Sequence, residues 1–192
     1  MSQFEGRVIA ITGAASGMGL ATAKKLLSLG ARISVSDINK EALQSAIFAS
    51  NPNRPEISGS NILITAIDVR SSVQVDAWIE ATIEHFGKLD GAANCAGILG
   101  AGADKYRIQE LPDDIWKSVI DVNLSGVFYC LKAELKAMHR GGSVVNIASI
   151  AGVKGNALNG SYSASKHGVV GLTKTAAQEV GGDGIRVNCV VP

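Results

Sequence analysis

The chain has 192 residues, a formal net charge of +1, and 46% hydrophobic against 18% charged residues. That length suits a single domain, residues 1–192, with a sizeable buried core. The near-neutral charge and the lack of any basic cluster argue against nucleic acid or an anionic membrane surface as a partner.

Short apolar runs alternate with longer helical segments, which predicts an α/β fold: a three-layer, doubly wound parallel sheet of Rossmann-like type. A first strand is expected over 7–11 and a first helix over 17–29, ended by Gly30. A second strand over 32–36 leads to a helix over 40–49, and residues 50–61, with two prolines and a glycine, read as a surface loop. The third strand falls at 62–66, the third helix at 71–86 and the fourth strand at 89–94. After a glycine-loosened stretch, Pro112 opens one long helix running to about 139, followed by a fifth strand ending at Ala148. A further helix ends near residues 181–182, and a sixth strand is expected over 185–191. The amino terminus enters a strand almost at once and no apolar stretch is long enough to span a bilayer, so a cytoplasmic protein is expected.

The run Thr12-Gly13-Ala14-Ala15-Ser16-Gly17-Met18-Gly19 joins the first strand to the first helix. Glycines there let the backbone turn sharply and approach a pyrophosphate, which a helix amino terminus then holds. The spacing is G-x-x-x-G-x-G rather than the usual dinucleotide fingerprint, but its place between strand and helix favours phosphate binding over a plain turn. Asp37 closes the second strand, eighteen residues beyond Gly19. A carboxylate at that point accepts hydrogen bonds from the adenosine ribose and repels a 2′-phosphate. Neither Ser16 nor Ile38, its neighbours, is basic, so NAD is favoured over NADP; the alternative for Asp37 is a helix cap.

Tyr162 and Lys166 stand four residues apart and so share one helix face. An ammonium beside a phenol favours the phenolate, whose pKa is about 10 when unperturbed, and such a tyrosine can exchange a proton with an alcohol or carbonyl oxygen. Alone the pair would more often be a solvated face. The small residues around it suit a closely packed helix, and Ser149, thirteen residues upstream, follows an apolar strand where open α/β sheets place ligand-contacting groups. The cysteines Cys95, Cys130 and Cys189 lack metal-ligand spacing and sit in apolar stretches, so they read as buried reduced thiols. No metal site is expected from the three histidines, and Trp78 and Trp116 read as packing residues.

Taken in order, these motifs resemble the short-chain dehydrogenase/reductase family over practically the whole chain. The glycine loop matches residues 12–19; the family's aspartate near the adenine matches Asp68, with Val69 beside it. The Asn-Asn-Ala-Gly motif is matched by Asn94-Cys95-Ala96-Gly97, where Cys95 departs from it and Asn94, Ala96 and Gly97 remain to floor the cofactor. The catalytic asparagine matches Asn123, and the serine, tyrosine and lysine fall on Ser149, Tyr162 and Lys166. The resemblance implies a general acid/base in Tyr162, a substrate-oxygen contact in Ser149, a nicotinamide-ribose contact in Lys166, and a water-positioning role for Asn123. It implies an NAD-dependent alcohol–ketone oxidoreductase on a small-molecule substrate, assembled as a homodimer or homotetramer.

The sequence stops at Pro192, the first residue of the family's Pro-Gly turn, before the substrate-covering helices and last strand that the family carries. A fragment is the favoured expectation. The alternative function is a catalytically impaired or non-redox dinucleotide-binding member of the same fold. Leu99, Gly155, Asn156 and Leu158 are expected to line the substrate side.

Overall fold

The computed structural model describes residues 2–48 and 60–192. Most of the loop expected at 50–61 lies outside the described residues. Six parallel strands form one sheet in the order β3-β2-β1-β4-β5-β6: β1 (Val8–Thr12), β2 (Arg32–Asp37), β3 (Ile62–Ala66), β4 (Gly91–Asn94), β5 (Ser143–Ile147) and β6 (Arg186–Val190). The chain order reverses between β1 and β4, where Thr12 pairs with Asn94. In open α/β sheets that switch point opens a crevice beyond the strands' carboxyl ends.

Apolar residues on both faces of the strands explain the three layers. On one face α1 (Gly17–Ser28) and α2 (Lys40–Phe48) cover Ile11, Ile33 and Val35, packing Ala23, Leu26, Leu43 and Ile47 onto them. On the other, α3 (Ser72–Phe86), α5 (Gly126–Ala137) and α6 (Gly160–Val180) bury Val8, Ala92, Val144 and Val187. α3 starts where the Ser71 side chain accepts from the Gln74 N–H, and it ends at Gly87 in the left-handed region (φ 80°). The fully buried Trp78 points its indole at the sheet, donating to Ser34 Oγ at 2.8 Å.

Two expectations about the elements need correction. The helix expected over 112–139 is three pieces: α4 (Asp113–Ile120), a π-turn (Asp121–Ser125) and α5. The fourth strand starts at Gly91, and Asp90 just before it bonds its carboxylate to Arg7, Lys88 and the Val8 N–H. Trp116 is 43% exposed rather than packed. Of the three cysteines only Cys130 is fully buried; Cys95 and Cys189 are half-buried, and all three are free.

Candidate active site

At the switch point lies a cleft of about 550 Å³, within the range of small-molecule sites. Its floor is the glycine loop. Gly13 adopts φ +64°, and a Cβ there would stand 2.8 Å from both the Ala96 Cα and N, so no side chain fits between the loop and the end of β4. Ser16 makes no side-chain capping bond at the start of α1. The amides of Gly17, Met18 and Gly19, in the first turn of a helix, have no intrahelical partner and front the cleft with Ser16. Such a row of N–H groups at a helix start suits a phosphate.

Asp37 and Ile38 form the far wall. The Asp37 carboxylate accepts from the Ala15 N–H at 3.0 Å and from the Asn39 N–H at 3.1 Å, so it braces the loop as well as facing the cleft. Capping of α2 falls instead to Asn39, whose Oδ1 accepts from the Ala42 N–H. Asp68 and Val69 line the neighbouring wall. There Arg70, which sequence reasoning missed, grips Asp68 with Nε 2.9 Å from each oxygen and Nη2 at 2.6 Å from Oδ2. That hydrogen-bonded guanidinium holds the Asp68 carboxyl below the usual carboxylate range.

Ala96 and Gly97 complete the cleft floor, with Cys95 beside them. The Thr12 hydroxyl accepts from both the Cys95 and Ala96 N–H groups, at 3.1 and 3.2 Å, and so locks this turn to β1. Asn94 departs from the expected role. Only 2% exposed, its side chain does not reach the cleft but turns into the core, donating to Glu134 Oε2 and Asn146 Oδ1, each at 3.0 Å.

Asn123 in the π-turn, Ser149 in the turn after β5, and Tyr162 and Lys166 on α6 come from three segments and lie beyond Gly97 rather than along the cleft itself. A Cβ on Gly97 would lie 3.3 Å from Asn123 Oδ1 and 3.5 Å from Lys166 Nζ, which places both groups against the cleft's end. Fully buried in the π-turn, Asn123 accepts from the Ile98 N–H and donates to the Ile98 carbonyl, both at 2.8 Å. Its Nδ2 also donates to Ser165 Oγ at 3.2 Å, and Ser165 donates to the Tyr162 carbonyl at 2.7 Å. One amide thus ties the loop after β4 to the turn carrying the tyrosine. π-turns of this kind recur at functional sites.

Lys166 is 4% exposed and donates from Nζ to the Ile147 carbonyl at 2.7 Å, with Nζ 5.6 Å from the centre of the Tyr162 ring. Burial pulls its ammonium down from 10.5 to about 8. Ser149 Oγ accepts from the Ala151 N–H at 3.2 Å, which leaves its proton free to donate. In the neighbouring segments Leu99, Ile150, Val153 and Leu158 are exposed apolar side chains, with Lys154 and Asn156 exposed among them. Leu158 also holds a positive φ of 62° just before α6, a strained backbone of the sort found near sites.

Comparison with known proteins bears on this geometry. A family model described as short chain dehydrogenase matches residues 7–192. The chain is 48% identical over 189 residues to a short-chain dehydrogenase/reductase aba4 of Botryotinia fuckeliana, covering 98% of this chain and 72% of that protein. It is 40% identical to a 2,5-dichloro-2,5-cyclohexadiene-1,4-diol dehydrogenase of Sphingobium indicum, covering 100% of this chain and 74% of the other. The crystal structure of an NAD+-bound xylitol dehydrogenase superposes with a TM-score of 0.89 at 35% identity, over 99% of this chain and 71% of that one. Among the described residues no helix is long and apolar enough to cross a membrane.

Proposed function

The chain belongs to the short-chain dehydrogenase/reductase family and is an oxidoreductase acting on CH–OH groups, and from that premise we propose that it interconverts a secondary alcohol and a ketone with NAD, Tyr162 moving the proton. What supports this reading is the buried Lys166, beside Gly97 at the end of the glycine-floored cleft with its Nζ 5.6 Å from the centre of the half-buried Tyr162 ring, together with Ser149 just past β5 with a free proton. The glycine loop, the open amides of α1 and the Asp37 carboxylate fit a dinucleotide. When bound, the nicotinamide gives or takes the hydride.

The protein's own groups handle the oxygen and its proton. Ser149 donates a hydrogen bond to the substrate oxygen and fixes it beside Tyr162. In the reducing direction the Tyr162 hydroxyl gives its proton to that oxygen as charge builds there; in the oxidising direction it takes the proton back. Lys166, a cation below about pH 8, holds the cofactor ribose and lies over the tyrosine ring, so a proton lost from the phenol is replaced from its side. Asn123 keeps the Gly97–Ile98 turn and the Tyr162 turn in fixed relation. Residues 1–192 act as one dinucleotide-binding and catalytic domain. The apolar Leu99, Val153 and Leu158 favour an apolar, alicyclic substrate, in keeping with the cyclohexadiene-diol named for the Sphingobium relative.

Asp37→Ala should weaken NADH and narrow its advantage over NADPH, because the carboxylate both braces the loop through the Ala15 N–H and repels a 2′-phosphate. Titrating each cofactor by its fluorescence checks this, and an unchanged preference would remove Asp37 from cofactor selection. A homodimer or homotetramer is further proposed, supported by Trp116 and Phe128, which are 43% and 47% exposed along α4 and α5. Sedimentation showing a monomer at micromolar concentration would contradict it.

A further inference from the structure

Glu134 on α5 is the one fully buried acid among the described residues, and the chemistry above makes no use of it. It ends a line of buried polar groups. Asn94 Nδ2 donates to Glu134 Oε2 and to Asn146 Oδ1, and Asn146 Nδ2 donates to Thr173 Oγ1 at 3.0 Å. Thr173 then donates to the Val169 carbonyl at 2.7 Å. The line crosses α5, β4, β5 and α6, and each of these leads to part of the candidate site. Asn94 precedes the Cys95–Gly97 floor, Asn146 precedes the Ile147 carbonyl that holds Lys166, and Thr173 shares α6 with Tyr162.

Two acceptors in this line are buried with no partner: Asn94 Oδ1 and Glu134 Oε1. They belong to the same two side chains whose other ends are already bonded to each other, and both amide protons of Asn94 are spent. An ionised Glu134 would leave its Oε1 and Asn94 Oδ1 bare, and buried unsatisfied acceptors are costly. One proton answers both. We propose that Glu134 is a positioning residue kept as the neutral acid, with its proton on Oε1 donated to Asn94 Oδ1, so that a closed acid–amide pair fixes β4 against α5 beneath the cofactor cleft.

The surroundings agree. Burial pushes the Glu134 carboxyl up to about 7 against the opposing hydrogen bond from Asn94. The titratable neighbours are Cys130 on the same helix and Cys95 next to Asn94. Burial raises the Cys130 thiol well above its usual value and Cys95 to about 11, so both stay neutral at working pH. From β5 and α6 the line presents only Asn146 and Thr173, while Lys166 is drawn to Ile147. On α3, Asp76, Glu80 and Glu84 line an outer groove shared with Lys136. No cation is bonded to Glu134 to hold it ionised; among the described residues its bonded partner is Asn94.

The sign of the pH effect follows. A carboxyl raised from 4.5 to about 7 on folding contributes stability that is fully present below about 4.5 and is lost as pH rises through about 7. Glu134→Gln supplies an N–H to Asn94 Oδ1 without titrating. From about pH 5 to about pH 8, the wild-type folding constant from urea melts should fall on the order of 100-fold further than that of Glu134→Gln. Glu134→Ala, which offers no donor, should be less stable than both at the lower pH. Infrared spectra of the wild type at about pH 5 should show the band of a non-ionised carboxyl that Glu134→Gln lacks.

Only the catalytic consequence rests on the function proposed above. NADH affinity of the wild type should weaken as pH passes about 7 more than that of Glu134→Gln, and the variant should keep its kcat further into alkaline conditions. Parallel stability curves, or no such carboxyl band, would overturn the acid–amide pair, whether or not the enzyme turns over. Separated stability curves with identical NADH and kcat profiles would overturn the positioning role.

Discussion

Replacing Tyr162 with phenylalanine should lower kcat by about 100- to 10,000-fold, the usual contribution of a positioned acid or base, while NADH binding stays near that of the wild type. Only the hydroxyl is removed. The ring remains in the first turns of α6, under Lys166 and held by the Ser165 bond to the Tyr162 carbonyl. The fold and the glycine-loop cleft are untouched, because Tyr162 does not line that cleft. Single-turnover kinetics with NADH and a ketone separate the chemical step from binding. Equal rates for the two proteins would mean that some other group moves the proton, and Tyr162 would lose its role as general acid and base.

The second large effect is expected at Lys166. Lys166→Met removes a buried ammonium and leaves the Ile147 carbonyl without its 2.7 Å donor. If the ammonium also bonds the ribose, losing a charged hydrogen bond should weaken NADH by about 10- to 100-fold, with kcat falling as well. The pH dependence carries a second mark. Burial lowers the ammonium from 10.5 to about 8, so its contribution to NADH binding is present below about pH 8 and fades above it. Lys166→Met should lack that limb. Stability runs the other way: between about 8 and 10.5 the unfolded chain binds the proton more tightly, so this group makes the free protein gain stability as pH rises through that window. Isothermal titration of NADH across pH, with both proteins, reads the binding limb; identical profiles would take Lys166 out of cofactor binding.

Much of this site was legible because its residues serve local geometry. The glycine loop shows where backbone must come close, and the structure places Gly13 against Ala96. The Tyr162–Lys166 spacing works because one helical turn carries both, and Ser149 sits where a strand ends. What stayed hidden depends on tertiary packing. Nothing in the composition of 121–125 marks a π-turn, nor that the next residue, Gly126, comes so close to Val69 that a Cβ there would stand 2.9 Å from its Cγ2. Arg70 reads as an ordinary surface cation until the fold sets it on Asp68. Asn94 and Glu134 show the same limit from both sides. A polar residue at the end of a strand reads as a ligand contact, and an acid in a helix reads as a solvated one. Yet the core pairs them with each other. The pattern of Thr12, Asn94 and Asn146 across three adjacent strands (Thr12 opposite Asn94, Asn94 opposite Asn146) was the available signal that polar groups line up inside this sheet.

The central claim is that this chain moves a hydride and a proton between NAD and a carbon–oxygen centre, rather than only holding a dinucleotide. NADH oxidation by the purified chain, followed against a set of cyclic and open-chain ketones with NADPH in parallel, tests it most directly. The predicted result is turnover with NADH on an apolar cyclic ketone, and slower turnover with NADPH. Tight NADH binding with no turnover of any ketone, and none of the matching alcohols with NAD, would contradict it and favour a dinucleotide-binding scaffold.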